Sequence, residues 1–398
     1  MKALIIGGGI AGPTAAMALQ KAGIDSVVHE AHTTDADGVG VFLTLGSNGI
    51  DALRTIDADA PAVAAGFATP AIGMVSTTGK ALGEVRTSRP DGDITSRTLK
   101  RADLYRAVRD EALRRGIRIE HGKRLVDAQD TGDGVRAVFA DGSEEHGDLL
   151  IGCDGIHSTV RGLIDPAAPA PTYSGLIGLG GYTRGVPVDA PTGSYRMMFG
   201  KRAFFGHVPA PDGEVWWFAN VPRPREPAPG ELENIGSEQW RRRLTDLFRD
   251  DTGPAASLIR AAQEITPATP MHALLTLPAW HRGRMIAIGD AAHAPSPTSG
   301  QGASLSIEDA VELAKALRDQ PTIVGAFTAY EALRRPRVER IVKQAARVNT
   351  NKAAGPAGRI VRDLLMPLLL PRLANGNQTR QTYGHHIDWN ATTTGRSV

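Results

Sequence analysis

The first 30 residues contain the feature that most restricts what this chain can fold into, a run of glycines between an apolar segment and a helix. Residues 2–6 predict a short buried strand, and residues 10–22 predict a helix that turns small side chains toward a sheet. A second strand is predicted at 26–30. A strand–helix–strand unit of about 30 residues has the length of a parallel crossover. The chain is therefore predicted to build an α/β fold around a parallel sheet.

The glycine run at 7–12 fits the G-x-G-x-x-G pattern of a dinucleotide-binding turn. Gly7 allows the tight turn, Gly9 lets a pyrophosphate approach the backbone, and Gly12 lets the helix pack closely on the strand. Glu30 lies 18 residues beyond Gly12, close to the spacing of a ribose-binding carboxylate. An acidic residue there favours an unphosphorylated ribose, as in FAD or NAD. The alternative is a purely structural glycine turn.

A second acidic site lies near the other end of the chain. Asp290 directly follows the apolar segment 285–289, at the carboxyl end of a predicted strand, where ligands of open α/β sheets bind. Gly300, Gln301 and Gly302 then open a predicted helix, whose backbone N–H groups can stabilise an electron-rich ring edge. A second ligand contact so far along the chain from the first indicates a large dinucleotide that the protein holds at several points, and FAD is the natural candidate. A glycine-rich loop with a capping role is the alternative.

Two further polar residues allow two interpretations each. Asp154 follows an apolar strand predicted at 148–153, but its surroundings also fit a plain strand–turn–helix in which Ser158 is the N-cap. His293 is a candidate general base, yet we favour a structural role, because a lone histidine after a strand is more often structural.

Residues 171–270 differ in composition from the rest of the chain: proline and glycine are more frequent there, and short strands rich in aromatic residues are predicted. We predict a mostly antiparallel sheet there. The predicted fold class is α/β, with a Rossmann-like FAD-binding domain, an inserted, mostly antiparallel β-sheet substrate domain and a C-terminal helix. The predicted boundaries are 1–70, 96–170 and 271–345 for the FAD-binding domain, 71–95 and 171–270 for the substrate-binding domain, and 346–398 for the C-terminal helix and tail.

Near the end of the chain, a long helix is predicted from about Pro336 to Val348. We expect the last dozen residues to be loosely packed.

The alternation of the aromatic strands places several side chains on shared faces. Phe205 and His207 share one face of their strand with Trp217 on the next strand, and Arg196 shares a face with Met198 on the preceding strand. These residues are candidates for lining a substrate pocket, in which His207 and Arg196 would orient a phenolate or enolate. The alternative, which we favour for any single aromatic residue, is that they form the core of the second domain.

Composition excludes several classes of function. A net charge of +2 gives no field that would attract nucleic acid or a membrane surface. Cys153 is the single cysteine, which rules out an internal disulfide and a Cys-based zinc site, and we predict no metal. No apolar stretch reaches the roughly 18 residues that a transmembrane helix needs, and no secretory signal is evident. We expect a cytoplasmic monomer or weak dimer.

With these motifs in this order, the chain resembles the class A flavin-dependent monooxygenases, the single-component FAD hydroxylases similar to p-hydroxybenzoate hydroxylase, salicylate hydroxylase and the tetracycline-modifying monooxygenases. The resemblance covers nearly the whole chain, although the middle domain matches only in its general composition and strand pattern and not in a specific motif. It implies that the ADP half of FAD is held by Gly7, Gly9, Gly12 and Glu30. It also implies that Arg101, in the segment TLKRADL, contacts the flavin side, that Asp154 contacts the FAD and NAD(P)H region, and that Asp290 contacts the ribityl or pyrophosphate region. The residues implied to line the isoalloxazine are Pro297, Gly300, Gln301 and Gly302.

The chain departs from the family pattern in places. Ala31 and His32 stand where many relatives carry a basic residue beside the glutamate, Cys153 replaces a common alanine, and Ser304 replaces a common asparagine. The first departure bears on the adenosine contacts. No second G-x-G-x-x-G is present for NAD(P)H, as is usual in this family, so the choice between NADH and NADPH stays open.

The resemblance also implies a reaction. NAD(P)H reduces FAD, and O₂ forms a C4a-hydroperoxyflavin that hydroxylates an electron-rich aromatic or polyketide-like small molecule. Antibiotic tailoring and tetracycline-type inactivation are both compatible with it. One alternative is a related flavin halogenase or reductase, although Trp216, Trp217 and Phe218 do not follow the Trp-x-Trp-x-Ile-Pro pattern of the halogenases. The other is a non-catalytic protein that binds flavin or a drug.

Overall fold

The computed structural model describes residues 1–34, 40–88, 92–296, 300–350, 361, 363–367 and 377–393. The strands are β1 (Lys2–Ile6), β2 (Asp25–His29), β3 (Phe42–Leu45), β4 (Phe67–Ala68), β5 (Ala71–Val75), β6 (Ala81–Arg86), β7 (Arg97–Lys100), β8 (Arg118–Glu120), β9 (Leu125–Asp130), β10 (Val135–Phe139), β11 (Glu144–Gly147), β12 (Leu149–Gly152), β13 (Thr172–Thr183), β14 (Tyr195–Phe199), β15 (Phe204–Pro209), β16 (Val215–Pro222), β17 (Thr269–Ala273), β18 (His281–Arg282) and β19 (Met285–Ala287). The helices are α1 (Ala11–Lys21), α2 (Ser47–Thr55), α3 (Asp59–Ala64), α4 (Arg101–Arg114), α5 (Thr159–Ile164), α6 (Ser237–Phe248), α7 (Ala255–Ala261), α8 (Gly302–Asp319), α9 (Ile323–Thr350) and α10 (Asn377–Tyr383).

A six-stranded sheet in the order β18-β19-β12-β1-β2-β8 forms the centre of the first domain. Strand β1 pairs in parallel with β2 and β12, and β12 pairs in parallel with β19. The inner strands are almost wholly apolar and buried, as expected for a parallel sheet covered by helices on both faces. Their carboxyl ends bring the glycine run, Asp154 and Asp290 to the same edge of the sheet.

A seven-stranded sheet in the order β17-β13-β16-β15-β14-β5-β6 forms the second domain. Its pairings are antiparallel except that of β14 with β5. Strands β5 and β6 come from residues 71–86, far from the other strands in sequence, and this agrees with the predicted insertion. The predicted fold class is confirmed. Because β17 continues this sheet to Ala273, we propose a boundary a few residues beyond the predicted position 270.

Helix α8 lies in the core of the first domain, between α1, α2 and α9, and is buried along almost its whole length. Helix α9 begins at Ile323 and contains Pro336 in its interior, so the predicted start at Pro336 is wrong. Ala326, Phe327 and Tyr330 are fully buried in the first core, and this packing outweighs the loss of one backbone hydrogen bond at the proline.

The C-terminal segment wraps back over the first domain. Ile387 is buried in the first core, Lys315 donates to the carbonyl of Asp388 (2.5 Å), and Arg318 donates to the carbonyl of Trp389 (2.6 Å). The expectation of a loosely packed end is therefore wrong for residues 387–393. Within the described residues, no helix combines the length and apolarity that crossing a bilayer requires.

Candidate functional site

The glycine turn after β1 is shaped by close backbone approaches. Gly7 has a φ of 107°, and a Cβ there would lie 2.4 Å from the carbonyl oxygen of Cys153. A Cβ on Gly12 would lie 1.9 Å from the carbonyl oxygen of Gly7, so α1 packs against the turn only because this residue is glycine. A Cβ on Gly9 would meet no atom within 4 Å. Gly7 and Gly12 are needed for the packing of the protein itself, whereas the space beside Gly9 is open, as the predicted approach of a pyrophosphate requires.

Glu30 lies beside this turn, one residue beyond β2. Its Oε2 accepts a hydrogen bond from the backbone N–H of Gly8 (2.6 Å), and its Oε1 accepts one from the N–H of His32 (2.8 Å). These two bonds hold the carboxylate at the mouth of the glycine turn and leave lone pairs for a further donor. A ribose hydroxyl next to a pyrophosphate at Gly9 would be such a donor.

Asp290 lies in a short 3-10 turn, Gly289–Ala291, directly after β19. Its Oδ1 is buried and accepts no hydrogen bond from any residue that the structure describes. An ideal Cβ on Gly302 would lie only 3.6 Å from this oxygen, so the carboxylate sits against the first turn of α8. Burial raises the pKa of Asp290, while the charges of His293 and Arg101 act in the opposite direction. This oxygen therefore calls for a partner that the described residues do not supply, and its contact with a cofactor hydroxyl remains a prediction.

Helix α8 is preceded by Gly300, whose φ is 64°, and by Gln301 as its N-cap. The Oε1 of Gln301 accepts a hydrogen bond from Asn48 Nδ2 (3.2 Å). Ser304 Oγ, one of the predicted departures from the family pattern, accepts the N–H of Gly46 (3.0 Å) and thereby ties α2 to α8. The backbone N–H groups at this helix terminus form a positive site next to Asp290. Pro297 lies outside the described residues.

Arg101 begins α4 and faces the same site. Its backbone N–H donates to the carbonyl of Val41 (3.2 Å), and its Nε donates to the hydroxyl of Tyr105 (3.0 Å). Its charge acts on Asp290, which places the predicted flavin-side arginine and the predicted ribityl-side carboxylate in one region.

Asp154 acts as a helix cap. Its Oδ1 accepts the hydroxyl of Ser158 (2.5 Å), and its Oδ2 accepts the N–H groups of Thr159 (2.7 Å) and Val160 (3.1 Å). Ser158 Oγ in turn accepts the N–H of Arg161 (2.9 Å) as the N-cap of α5. This geometry fits the strand–turn–helix interpretation, and the proposed contact of Asp154 with the cofactor remains a prediction.

His293 also has a structural environment. Its Nε2 lies 2.5 Å from Oδ2 of Asp309, and its ring packs 5.4 Å from the ring of Trp280. The imidazole is 3% exposed, which leaves no access for a substrate and fits the structural role favoured above.

The predicted substrate residues lie on the face of the seven-stranded sheet that is covered by α6 and α7, which we call the outer face. Phe205 and Trp217 are fully buried there; their rings stack at 5.7 Å, and Phe205 packs 5.3 Å from the ring of Phe248 on α6. Burial and the neighbouring Arg196 lower the pKa of His207 to about 4, so its imidazole is neutral at pH 7. Phe205, Trp217 and Met198 belong to one apolar core there, in agreement with the alternative interpretation, and the substrate roles of Arg196 and His207 remain a prediction.

The opposite face, which we call the inner face, meets the first domain. Phe42 of β3 packs 5.8 Å from the ring of Trp216 and 6.0 Å from the ring of Phe218. The hydroxyl of Tyr182 donates to the carbonyl of Val41 (2.8 Å). Phe218 and Phe42 are only half-buried, in contrast to the outer face. Strand alternation could group these residues, but it could not identify which face packs against the first domain.

Sequence reasoning missed a buried polar network beneath the site. Arg334 on α9 donates to Glu308 (2.6 Å) and Asp309 (2.7 Å) on α8. Tyr383, the last residue of α10, lies close to this network, because a Cβ on Gly46 would lie 3.2 Å from Cδ1 of its ring and 3.3 Å from Nε2 of Gln301. Arg334 belongs to the run RRPR, which in sequence is not distinguishable from an exposed basic helix face.

The residues present fit an FAD molecule. The open space at Gly9, the anchored carboxylate of Glu30, the buried oxygen of Asp290 and the helix N-terminus at Gln301 are all placed along the carboxyl edge of the parallel sheet. Such an extended row of acceptors and N–H groups suits a dinucleotide with a second ring system.

Comparison with known proteins gives the same picture. A protein-family model described as the FAD binding domain matches residues 1–345. The aurachin C monooxygenase/isomerase of Stigmatella aurantiaca is 31% identical over 359 residues, which cover 87% of this chain and 88% of that protein. The FAD-dependent urate hydroxylase of Klebsiella pneumoniae is 30% identical over 352 residues, with 87% of this chain and 88% of that protein covered. The structure of Klebsiella pneumoniae HpxO complexed with FAD and uric acid superposes with a TM-score of 0.83 at 26% identity and covers 96% of this chain and 97% of that one.

The two glycines of the turn give contrasting predictions. Gly9→Ala places a methyl group in open space, so the apoprotein is expected to keep its thermal stability while its affinity for FAD falls by about tenfold or more. Gly12→Ala forces the new methyl group against the Gly7 carbonyl and is expected to lower the stability of the apoprotein itself. Thermal unfolding of both apoproteins and FAD titration of Gly9→Ala measure these effects. Unchanged FAD affinity in Gly9→Ala would show that the space beside Gly9 is not the cofactor site.

Asp290→Asn is expected to stabilise the apoprotein at pH 7 and to weaken its binding of FAD. Because the pKa of Asp290 is raised in the folded protein, the folded state holds this proton at a pH where the unfolded chain has lost it, and the ionised carboxylate costs stability at neutral pH. That cost fades as the pH falls toward the unfolded pKa of about 3.9, so the stability gained by the variant should shrink over the same range.

Urea unfolding of both apoproteins between pH 7 and pH 4 measures this difference. Asp25→Asn, at the exposed start of β2, serves as the control and should behave like the wild type. A variant that is less stable than the wild type at pH 7 would contradict the assignment of Asp290 as an uncompensated buried carboxylate.

Proposed function

Since the chain belongs to the family of the FAD binding domain, we propose that it is an FAD-dependent monooxygenase that uses NAD(P)H and O₂ to hydroxylate a planar, electron-rich aromatic small molecule. The observation that carries this proposal is the buried Oδ1 of Asp290, which has no partner within the part of the chain that the structure describes and lies against the N-terminus of α8. The half-buried aromatic side chains of the inner face pack on Phe42 of the first domain, and we propose that they form the substrate side of the site.

Bound FAD would supply the redox chemistry and the activation of O₂. The protein contributes position and electrostatics. The N–H groups at the start of α8 form a positive site that stabilises negative charge on a ring edge held next to Gln301. Asp290 would accept a hydroxyl of the cofactor chain, and the apolar rings of the inner face would keep water from the reacting atoms. No acid–base pair of side chains is needed for these tasks.

The inner face supports a flat, apolar substrate. The ring of Phe42 lies 5.8 Å from that of Trp216 and 6.0 Å from that of Phe218, and we propose that this aromatic surface stacks on the substrate ring. The charge of Lys100 lies 4.3 Å from the ring centre of Tyr182 and is balanced by Glu214 at 3.3 Å, so this wall has little net charge. The relatives named above act on urate and on aurachin C, and HpxO was solved with uric acid. A planar ring system with a hydroxyl or amino group suits this surface.

The proposal is tested with purified protein reconstituted with FAD. The oxidised flavin spectrum is recorded first, and NADH or NADPH oxidation under air is then followed with a panel of phenols, hydroxylated heteroaromatic compounds including uric acid, and tetracyclines. The expected result is substrate-stimulated NAD(P)H oxidation and a product that gains one oxygen atom. Bound FAD that NAD(P)H does not reduce, with or without panel compounds, would favour the non-catalytic binding protein instead. Product formation that requires chloride would favour a halogenase.

The two faces of the second sheet give a sharper prediction. Phe218→Leu, on the inner face, is expected to raise the KM for the substrate by about tenfold through loss of a stacking surface, with little change in thermal stability. Phe205→Leu, fully buried on the outer face, is expected to cost roughly 1 kcal/mol or more in unfolding free energy while the KM stays near that of the wild type. The reverse pattern would return the substrate site to the outer face.

A further inference from the structure

Asn220 is a buried polar residue on the inner face of the second sheet. It lies on β16 two residues beyond Phe218, and strand alternation places it on the same face as Trp216 and Phe218. Its side chain is 3% exposed, and its Nδ2 has no hydrogen-bond partner among the residues that the structure describes. The two N–H groups of this nitrogen are therefore out of contact with water and make no hydrogen bond in exchange.

The neighbours of Asn220 explain why nothing in the sheet pairs with its amide nitrogen. Its cross-strand partners are Phe204 on β15 and Gly178 on β13, and neither has a polar side-chain atom. A Cβ on Gly178 would lie 3.4 Å from Sδ of Met271 and 4.0 Å from Oδ1 of Asn220, so the amide lies beside a position where β13 has no side chain. A partner for the amide nitrogen would therefore have to come from outside the sheet.

The aromatic side chains of the inner face continue to this amide. The ring of Phe218 lies 6.0 Å from that of Phe42 and 6.1 Å from that of Phe204. Side chains two residues apart on a strand are about 6.6 Å apart. A ring that stacks on Phe218 can therefore bring an oxygen substituent to Asn220.

The same part of the inner face is linked to Arg101, the predicted flavin-side residue. The carbonyl oxygen of Val41 accepts hydrogen bonds from the N–H of Arg101 (3.2 Å) and from the hydroxyl of Tyr182 on β13 (2.8 Å). The side chain of Val41 packs on Gly180, where a Cβ would lie 2.7 Å from its Cγ2. Gly180 is the cross-strand partner of Phe218, so Val41 connects Arg101 to the inner face next to Phe218.

We propose that Asn220 is a substrate-binding residue whose Nδ2 donates a hydrogen bond to a carbonyl or phenolate oxygen of the substrate ring. The proposed substrate class is thereby narrowed from planar aromatic compounds to those that carry such an oxygen. A buried donor discriminates between the two kinds of ring, because a ring without the oxygen leaves the amide unpaired and shielded from water. This inference deepens the proposed function and rests on it in placing the substrate ring on the inner face.

The test compares the binding of rings with and without the oxygen. The Kd values of 4-quinolone and quinoline, and of uric acid and purine, are measured by calorimetric titration of the FAD-reconstituted protein without NAD(P)H. In the wild type, the oxygenated ring of at least one pair should bind about tenfold more tightly than its counterpart. In Asn220→Leu, which keeps a similar volume and removes the donor, this preference should fall to about twofold or less. A wild-type protein that binds neither oxygenated ring, or that shows no preference, would overturn the proposal.

Thermal stability gives a readout that a structural asparagine would not share. Because the amide nitrogen is buried without a partner, Asn220→Leu is expected to leave the Tm of the apoprotein unchanged or to raise it. Asn48 is the matched contrast, since its buried amide donates to Gln301 (3.2 Å) and Glu308 (2.6 Å), and Asn48→Leu should lower the Tm. A similar loss of Tm in Asn220→Leu would assign Asn220 to the fold and contradict its role as a substrate donor.

Asn220→Ala separates loss of the donor from a change in shape, because it removes the amide and leaves room for the ring. It should lose the preference for the oxygenated ring as Asn220→Leu does, and a preserved preference would contradict the proposal. Asn234→Leu is the control: this exposed residue of the second domain donates to the carbonyl of Gly230 (2.8 Å), and its variant should keep the wild-type preference.

The outcomes for Asn220 and for the proposed function can be distinguished. A wild-type protein that prefers the oxygenated rings through Asn220 but oxygenates none of the compounds would contradict the proposed function alone. A protein that oxygenates one of them with the same KM in the wild type and in Asn220→Leu would contradict the role of Asn220 alone.

Discussion

Two adjacent carboxylates on one buried helix connect most parts of this site. Glu308 and Asp309 lie side by side on α8, fully buried, with the guanidinium of Arg334 bridging them. Asp309 also accepts the N–H of Gly289 (3.0 Å) and faces His293, which fixes the loop that carries Asp290. Glu308 binds α2 on one side and α9 on the other. The loop after β19, the start of α2 and helix α9 therefore all take their positions from a single turn of α8.

Such a network is not explained by stability alone. Burying charged groups carries a desolvation cost that their mutual attraction roughly offsets, so an apolar core of the same shape would be about as stable. The directional bonds of the guanidinium and carboxylate groups instead fix the geometry, since Arg334 satisfies both acids only when α8 and α9 stand at one relative rotation. The protein thus uses ordinary apolar packing to hold its layers together and ionic contacts to set their alignment beneath the cofactor edge.

The parts of this arrangement that are local in sequence could be predicted. The glycine turn, Glu30 and Asp290 depend on short patterns beside their own strands, and each was found at the same sheet edge. Strand alternation correctly grouped Phe205 with Trp217 on one face, but the choice between inner and outer face depends on α6 and α7 packing from elsewhere in the chain. Contacts between residues that are distant in sequence could not be predicted from any local sequence pattern.

The end of the chain shows this limit most clearly. Pro336 suggested a helix start, whereas burial of residues on both sides of it extends α9 back to Ile323. The segment 387–393 is polar enough to suggest a free tail, yet its backbone carbonyls are bound by Lys315 and Arg318 from α8. These bonds form with the main chain of the tail, so its side-chain sequence does not record them.

The strand order of the central sheet has a consequence for biosynthesis. Strand β1 is made first and pairs with β2, but its other neighbour β12 and the next strand β19 are made much later. Chains leave the ribosome from the N-terminus at about 5–20 residues per second, so the glycine turn is made many seconds before β12 and β19 exist. A polypeptide that stalls before β19 therefore has the glycine turn but lacks Asp290 and the start of α8, and it carries only part of the proposed cofactor site.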